Sequence, residues 1–138
     1  MSELVRFGVS VEKGLLDKFD HLIRDRSYTN RSEAIRDLIR QELVKDEWEE
    51  GQDVAGAITF IYDHHKRDLL HTLAHIQHDY QNTIISSQHI HLDHDNCLEI
   101  IAVKGKAAEV VALAYALRSV KGVRHGDLSM TTTGKAIE

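Results

Sequence analysis

His89, His91, His94 and the chain's one cysteine fall within nine residues, His89-Ile90-His91-Leu92-Asp93-His94-Asp95-Asn96-Cys97. Imidazole and thiolate are the donors that borderline and soft metal ions prefer. Side chains alternate between the two faces of a strand, so His89 and His91 point the same way. Asp93 to Asn96 is turn chemistry, and the apolar run Leu98-Glu99-Ile100-Ile101-Ala102-Val103 reads as the returning strand of a hairpin. With His91 opposite Cys97, His89 falls opposite Glu99. Two imidazoles and a thiol then occupy one cross-strand neighbourhood, with Glu99 placed to fix an imidazole tautomer.

Three donors are one short of a closed site. His71, His75 and His78 follow one another at helical spacing, and His78 sits at the end of that run. It could reach a metal in its own chain or across an interface, and spacing does not decide which. Three imidazoles and a thiolate disfavour magnesium and calcium and leave zinc, copper, nickel and cobalt. His64, His65, His71, His75, His94 and His125 read as surface or turn residues.

The elements that must position these donors can be read in order. Residues 4–10 alternate, with Val5, Phe7 and Val9 on one face and Arg6, Gly8 and Ser10 on the other, the pattern of a short half-buried strand. A helix is predicted from about Glu12 to Arg24 and a second from Asn30 to about Trp48, opened by an Asn30/Glu33 capping box. One strand and two helices cannot close a core, because a lone strand leaves both edges unpaired. Pairing the strand with its copy in a second subunit makes an antiparallel ribbon that fits the DNA major groove, with Arg6, Gly8 and Ser10 outward. The N-terminal end of the second helix, at Asn30, would offer backbone N–H groups to a phosphate.

An acidic stretch around 46–53 separates this module from the rest. The expected division is residues 1–48, a linker at 49–53, and a second domain at 54–138. In that second domain the order is βαββαβ: strands at about 54–62, 83–92, 97–103 and 123–132, and helices at about 68–80 and 107–120. The fold class is therefore α+β, a strand-helix-helix module followed by a ferredoxin-like domain with both helices on one sheet face. The metal donors are expected on the opposite, uncovered face, where a second copy would pack. Two modes of self-association imply at least a tetramer.

With 138 residues, 42% of them hydrophobic, the chain can hold one ordinary domain or two small ones, and small ones gain by sharing a core between subunits. The net charge of −5 is unevenly spread. Residues 1–45 hold nine Lys/Arg against eight Asp/Glu, and the remainder eight against fourteen, so the basic groups that phosphates need are concentrated at the N-terminal end. Eight of the ten histidines lie between positions 64 and 94, which favours metal chemistry. No apolar run is long enough to span a bilayer and no secretory leader is visible, so a cytoplasmic protein is expected. A lone cysteine fits a reducing compartment.

Taken together, Asn30-Arg31-Ser32-Glu33-Ala34-Ile35-Arg36-Asp37, Lys66-Arg67-Asp68, Gln77-His78, His89-Ile90-His91, Cys97-Leu98-Glu99 and Gly122-Val123-Arg124-His125-Gly126 resemble the NikR family of nickel-responsive transcriptional regulators. The resemblance covers nearly the whole chain. It implies a ribbon-helix-helix domain followed by an ACT-type metal domain, in a homotetramer built as a dimer of dimers. It implies one square-planar Ni(2+) per subunit, held by His89, His91 and Cys97 of one subunit and His78 of a neighbour, with Gln77 and Glu99 behind the ligands. It implies palindromic operator DNA as partner, read by Arg6, Gly8 and Ser10 and gripped through Lys66 and Arg67, with nickel-uptake genes repressed when nickel is plentiful. Gly8 departs from the family pattern, which usually has a hydrogen-bonding side chain there. A K(+) ion between domains, held with Glu33 and Asp37, is also implied. No small organic ligand and no catalysis are expected, since four protein ligands leave no open position. The alternative is a metal storage or delivery protein that binds no DNA.

Overall fold

The computed structural model describes residues 3–137. It divides into two compact units, residues 1–43 with 137–138, and 44–136, and the division falls inside one helix.

In the first unit, α1 spans Lys13–Asp25 and α2 begins at Arg31 and ends at Glu49. Ile23 and Ala34 are the buried apolar residues between them, and Arg31 grips Asp20 through two hydrogen bonds of 2.9 Å. Asn30 caps α2 by accepting the Glu33 N–H at 2.9 Å. The capping box is one-sided, because the Glu33 carboxylate is taken by Arg36. The strand expected at residues 4–10 is not formed in the single chain, which runs there as irregular backbone. Leu4, Val5, Phe7 and Val9 are 92%, 77%, 68% and 65% exposed, so the whole apolar row faces water. A strand is held by hydrogen bonds to a neighbour, and none among the described residues pairs with this segment.

The second unit contains β1 Asp53–Tyr62, α3 Arg67–Asp79, β2 Ile84–His91, β3 Cys97–Lys106, α4 Ala107–Arg118 and β4 Val123–Met130. The sheet order β2-β3-β1-β4, antiparallel throughout, is the ferredoxin-like arrangement. Val54, Ile58, Phe60 and Tyr62 alternate inward along β1 and meet Ile101 and Val103 of β3. Leu69 and Leu73 of α3 and Val110, Leu113, Ala114 and Leu117 of α4 close over that face. The last turn of α2 belongs to this unit. Trp48 donates its indole N–H to the Thr131 carbonyl at 2.8 Å, and buried Glu47 accepts from the Thr132 hydroxyl at 2.9 Å. Residues 46–49 are therefore helix, with only a short turn before β1.

The opposite sheet face is uncovered by the described residues of this unit. Ala55, Ala57, Thr59, Ile61, Leu98, Ile100 and Ala102 lie there half-buried. Cys97 and Glu99 are on the helix-covered face instead, 2% and 1% exposed, which corrects the expected placement of the metal donors. The alternation in β3 groups Cys97 with Ile101 and Val103, and these are the residues the helices cover.

Gly56 tests the sheet. A Cβ there would sit 2.7 Å from the Ser129 carbonyl oxygen in β4, a backbone atom that cannot swing aside. Gly56→Ala is expected to destabilise by about 1–3 kcal/mol, the usual cost of forcing extra volume into a packed interior. Denaturant unfolding followed by circular dichroism measures it, and an unchanged midpoint would show that β4 yields freely.

Candidate metal centre

The β2–β3 hairpin pairs His89 with Glu99 and His91 with Cys97, the register read from the sequence. The turn is held by Asp93, whose Oδ1 accepts the backbone N–H groups of Asp95 at 2.9 Å and Asn96 at 2.8 Å. The Leu92 N–H closes it on the Asn96 carbonyl at 3.0 Å. Hydrogen bonds from the Asn96 side chain and then from the two backbone amides hold the Asp93 carboxyl below the usual carboxylate range.

Behind the donors runs a hydrogen-bonded chain that ends on a buried carboxylate. Glu99 accepts the Tyr62 hydroxyl at 2.9 Å and the Gln77 amide at 2.8 Å. The Tyr62 oxygen lies 3.2 Å from His89 Nδ1, and Glu99 Oε1 lies 3.5 Å from it. Since the Tyr62 proton goes to Glu99, its oxygen accepts from His89, which places the imidazole proton on Nδ1 and the lone pair on Nε2. Burial first, then the Glu99 charge and hydrogen bond, push the Tyr62 phenol far above its ordinary range, so it remains a donor. Sequence reasoning placed Glu99 and Gln77 here and missed Tyr62. Its signal was available, because inward alternation along β1 ends on Tyr62, opposite Cys97.

His91 is exposed and stacks on His64, with ring centroids 4.5 Å apart. His64 was expected on the surface or in a turn, yet its Nδ1 is buried without a hydrogen-bond partner. Burial, with the neighbouring His65 and His91, lowers its pKa, so an uncharged imidazole stands beside His91. Cys97 is a free thiol that meets the Leu98 carbonyl at 3.8 Å and the Tyr62 hydroxyl. Among the described residues His89, His91 and Cys97 do not close into a group of ligand atoms within 4.8 Å; the groups that do are Asp63-His64-His65 and His65-His94-Asp95. The hairpin thus brings the three donors to adjacent register pairs on one face without clustering their ligand atoms. This set nevertheless fits a borderline metal ion: a free thiol beside the Tyr62 hydroxyl, and a histidine whose tautomer is fixed with its lone pair on Nε2. His78 is exposed in the last turn of α3. Gln77 beside it is committed to Glu99, so His78 projects about 100° further round the helix.

Arg6, Gly8 and Ser10 are exposed in the unpaired N-terminal segment, and Gly8 has open space where a side chain would be. Lys66 and Arg67 are exposed at the start of α3, with Lys66 at its N-cap. Asp37 accepts from Tyr28 and, at 2.9 Å, from Gln41, while Glu33 pairs with Arg36. No helix among the described residues is long and apolar enough to cross a membrane.

An unpaired N-terminal strand sequence leading into two helices, with a ferredoxin-like domain presenting imidazoles and a thiol, defines a metal-responsive DNA-binding regulator. Residues 5–46 match the family model of the ribbon-helix-helix proteins, copG family, and residues 55–131 match that of the NikR C-terminal nickel-binding domain. The chain is 64% identical over 135 residues to a protein of Syntrophus aciditrophicus, covering 98% of both chains, and 60% identical over 134 residues to one of Chlorobium limicola, covering 97% of this chain and 100% of the other. Both carry the name "Putative nickel-responsive regulator". The uncharacterized protein TM1266 from Thermotoga maritima shares the fold over 57% of this chain and 98% of its own, with a TM-score of 0.52 at 11% identity. The chain belongs to the NikR family of nickel-responsive regulators, with a ribbon-helix-helix DNA-binding domain and a nickel-binding domain.

Two substitutions test the geometry. Tyr62→Phe leaves the buried Glu99 one donor short and is expected to cost about 1–3 kcal/mol of stability. Releasing the His89 ring should also weaken metal binding by about 10–100-fold; calorimetric titration measures the second effect, and unchanged affinity would remove Tyr62 from the site. For Asp93, the depressed carboxyl pKa means its contribution is present above the unfolded value of about 4 and lost as pH falls through the folded value. The gap in melting temperature between the chain and Asp93→Ala should therefore be constant near neutrality and close below about pH 4. A gap that persists in acid would mean the turn does not depend on the ionised carboxylate.

Proposed function

We propose that the chain represses nickel-uptake genes by binding a palindromic operator when nickel is bound, with His89, His91 and Cys97 of one subunit and His78 of a neighbour holding one Ni(2+) per subunit. The observation that carries this reading is the division of labour on α3. Gln77 turns inward to Glu99 behind the His89 ring, and His78, one residue on, is exposed. A fourth donor from a second subunit follows naturally. Nickel supplies one Lewis-acidic centre that ties the donors of two chains together.

The assembly is a homotetramer, a dimer of dimers. Exposed Val5, Phe7 and Val9 favour pairing of the N-terminal strands, and the uncovered apolar face of the sheet favours pairing of the metal domains. Paired strands would present Arg6, Gly8 and Ser10 to the major groove, while the Asn30 end of α2, Lys66 and Arg67 would contact phosphate. Because Gly8 offers no side-chain hydrogen bond to a base, the operator sequence does not carry over from the family. Control works by linkage: donors shared between subunits bind metal only in arrangements that bring them together, and the same arrangements are the ones that fit the operator. A K(+) ion at Glu33 and Asp37 belongs to the DNA-bound form, and it would have to draw these carboxylates from Arg36, Tyr28 and Gln41. The regulator is a protein of the cytoplasm and not an enzyme.

Selection of duplexes from a random DNA pool, with nickel and with chelator in parallel, tests the reading. A palindrome enriched only with nickel is expected, and Cys97→Ser should abolish that enrichment while leaving the circular dichroism spectrum intact. Enrichment of the same sequence in both arms would overturn metal control. Enrichment in neither would favour a metal storage or delivery protein.

A further inference from the structure

The stretch Gly122-Val123-Arg124-His125-Gly126 leads into β4, and its first arginine has no part in the site described above. β4 runs antiparallel to β1 with Ile61 opposite His125 and Tyr62 opposite Val123, so Arg124 is an extra residue with no partner on β1. A bulge of this kind interrupts the ladder and re-aims the side chain of the residue it inserts. The interruption falls at Tyr62, which pairs on its other side with Cys97, and Cys97 pairs in turn with His91. Val123, Tyr62, Cys97 and His91 thus form one row across all four strands, and Arg124 is inserted next to that row.

From the bulge, the Arg124 guanidinium donates through Nη1 to the Asn96 side-chain oxygen, joining segments 28 residues apart. β1 and β3 neighbour one another and β4 lies outside β1, so this bond spans the end of β1 and ties the outer strand to the hairpin. Asn96 is the last residue of the hairpin turn and directly precedes Cys97. Its side-chain N–H groups go to the Asp93 carboxylate at 3.1 Å and its backbone carbonyl accepts the Leu92 N–H at 3.0 Å, so the whole turn shares its orientation. His65 Nε2 holds the tip of the same turn at the His94 carbonyl, 2.7 Å away, and Arg124 holds its base. The Asn96 side chain chiefly lowers the Asp93 carboxyl pKa and the His65 amide chiefly lowers that of Asp63; the nearby Arg124 charge adds to both. A planar fork of five N–H donors suits such a cluster of acceptors better than an ammonium does.

β2 ends at His91 and β3 begins at Cys97, so the turn that Asn96 closes governs how these two donors stand to one another. We infer that Arg124 is a positioning residue of the metal centre: placed by the β4 bulge, it holds the Asn96 end of the turn and so sets the spacing of Cys97 and His91. The inference rests on the proposed reading of these two residues as nickel ligands. Arg124 binds no metal and acts through Asn96.

Nickel titration of the full-length protein, followed by thiolate-to-nickel charge-transfer absorption, tests it. Arg124 is exposed, so Arg124→Met should leave the fold intact by circular dichroism. Nickel affinity should fall about 10-fold, the lower end of what residues behind metal ligands contribute, with a shift in the charge-transfer band. Arg124→Lys keeps the charge without the fork and should recover part of the loss. Lys121→Met removes a neighbouring exposed cation and should change neither affinity nor band. Added to Asn96→Ala, Arg124→Met should cost little more, because both remove the same contact. A parent lacking a band that Cys97→Ser abolishes would overturn the nickel reading and this inference with it. With that band present, an Arg124→Met variant matching the parent in affinity and band would overturn this inference alone, as would an equal loss in Lys121→Met.

Discussion

The register of one hairpin governs everything the metal domain presents. Side chains in a strand have a period of two, so a slip of one residue between β2 and β3 would carry His89 and His91 to the opposite face from Cys97 and Glu99. Two features of different kind prevent it. Asp93 binds the turn from within through its two backbone acceptor contacts. Glu99 binds from beyond the turn, because a carboxylate at 1% exposure is tolerable only where Tyr62 and Gln77 supply donors. A slipped hairpin would lose the turn and leave a buried charge without partners.

Glu99 also connects elements that packing alone would leave independent. Its acceptors take one donor from the last residue of β1 and one from the last turn of α3, and the Tyr62 oxygen continues the chain to His89. The orientation of the His89 ring and the rotational setting of α3 at Gln77 therefore depend on the same carboxylate. His78, one residue beyond Gln77, inherits that setting. Any ion that selects a position for His89 biases the helix bearing His78, through hydrogen bonds whose loss would expose a buried charge.

Much of this was legible before the fold was known, and the omissions have physical causes. The two helices of the N-terminal unit, the βαββαβ order and the pairing of His91 with Cys97 follow from periodicity and turn chemistry, which are local. Periodicity says which residues share a face and not which face the helices cover, and that is why the donors were expected on the wrong side of the sheet. The decision is made by β1, whose inward residues Val54, Ile58, Phe60 and Tyr62 carry far more apolar surface than Ala55, Ala57 and Thr59 on the other side. His64 reads as turn because its neighbours are polar, while its stacking on His91 comes from a segment 27 residues away. The alternation at residues 4–10 is plain in the sequence and absent as a strand in the chain, since a strand requires an edge to bind.

What the lone chain leaves unsatisfied has a common form. The apolar row from Leu4 to Val9 is exposed with its backbone unpaired, one face of the four-stranded sheet has no cover, and the hairpin offers three donors where a closed site uses four. In the assembly we propose, each deficiency is met by another copy of the same chain, the first two by burying apolar surface that is otherwise in water and the third by a histidine. Association that buries apolar surface is unresponsive to metal, whereas the missing donor makes metal affinity depend on how the copies are arranged. A regulator needs both kinds of dependence: a permanent assembly to hold its DNA-reading parts, and one bond within it whose formation waits on the signal. Placing the hairpin donors on the helix-covered side, and not on the uncovered sheet, separates the two, so an assembly held by apolar surface would persist when the metal leaves.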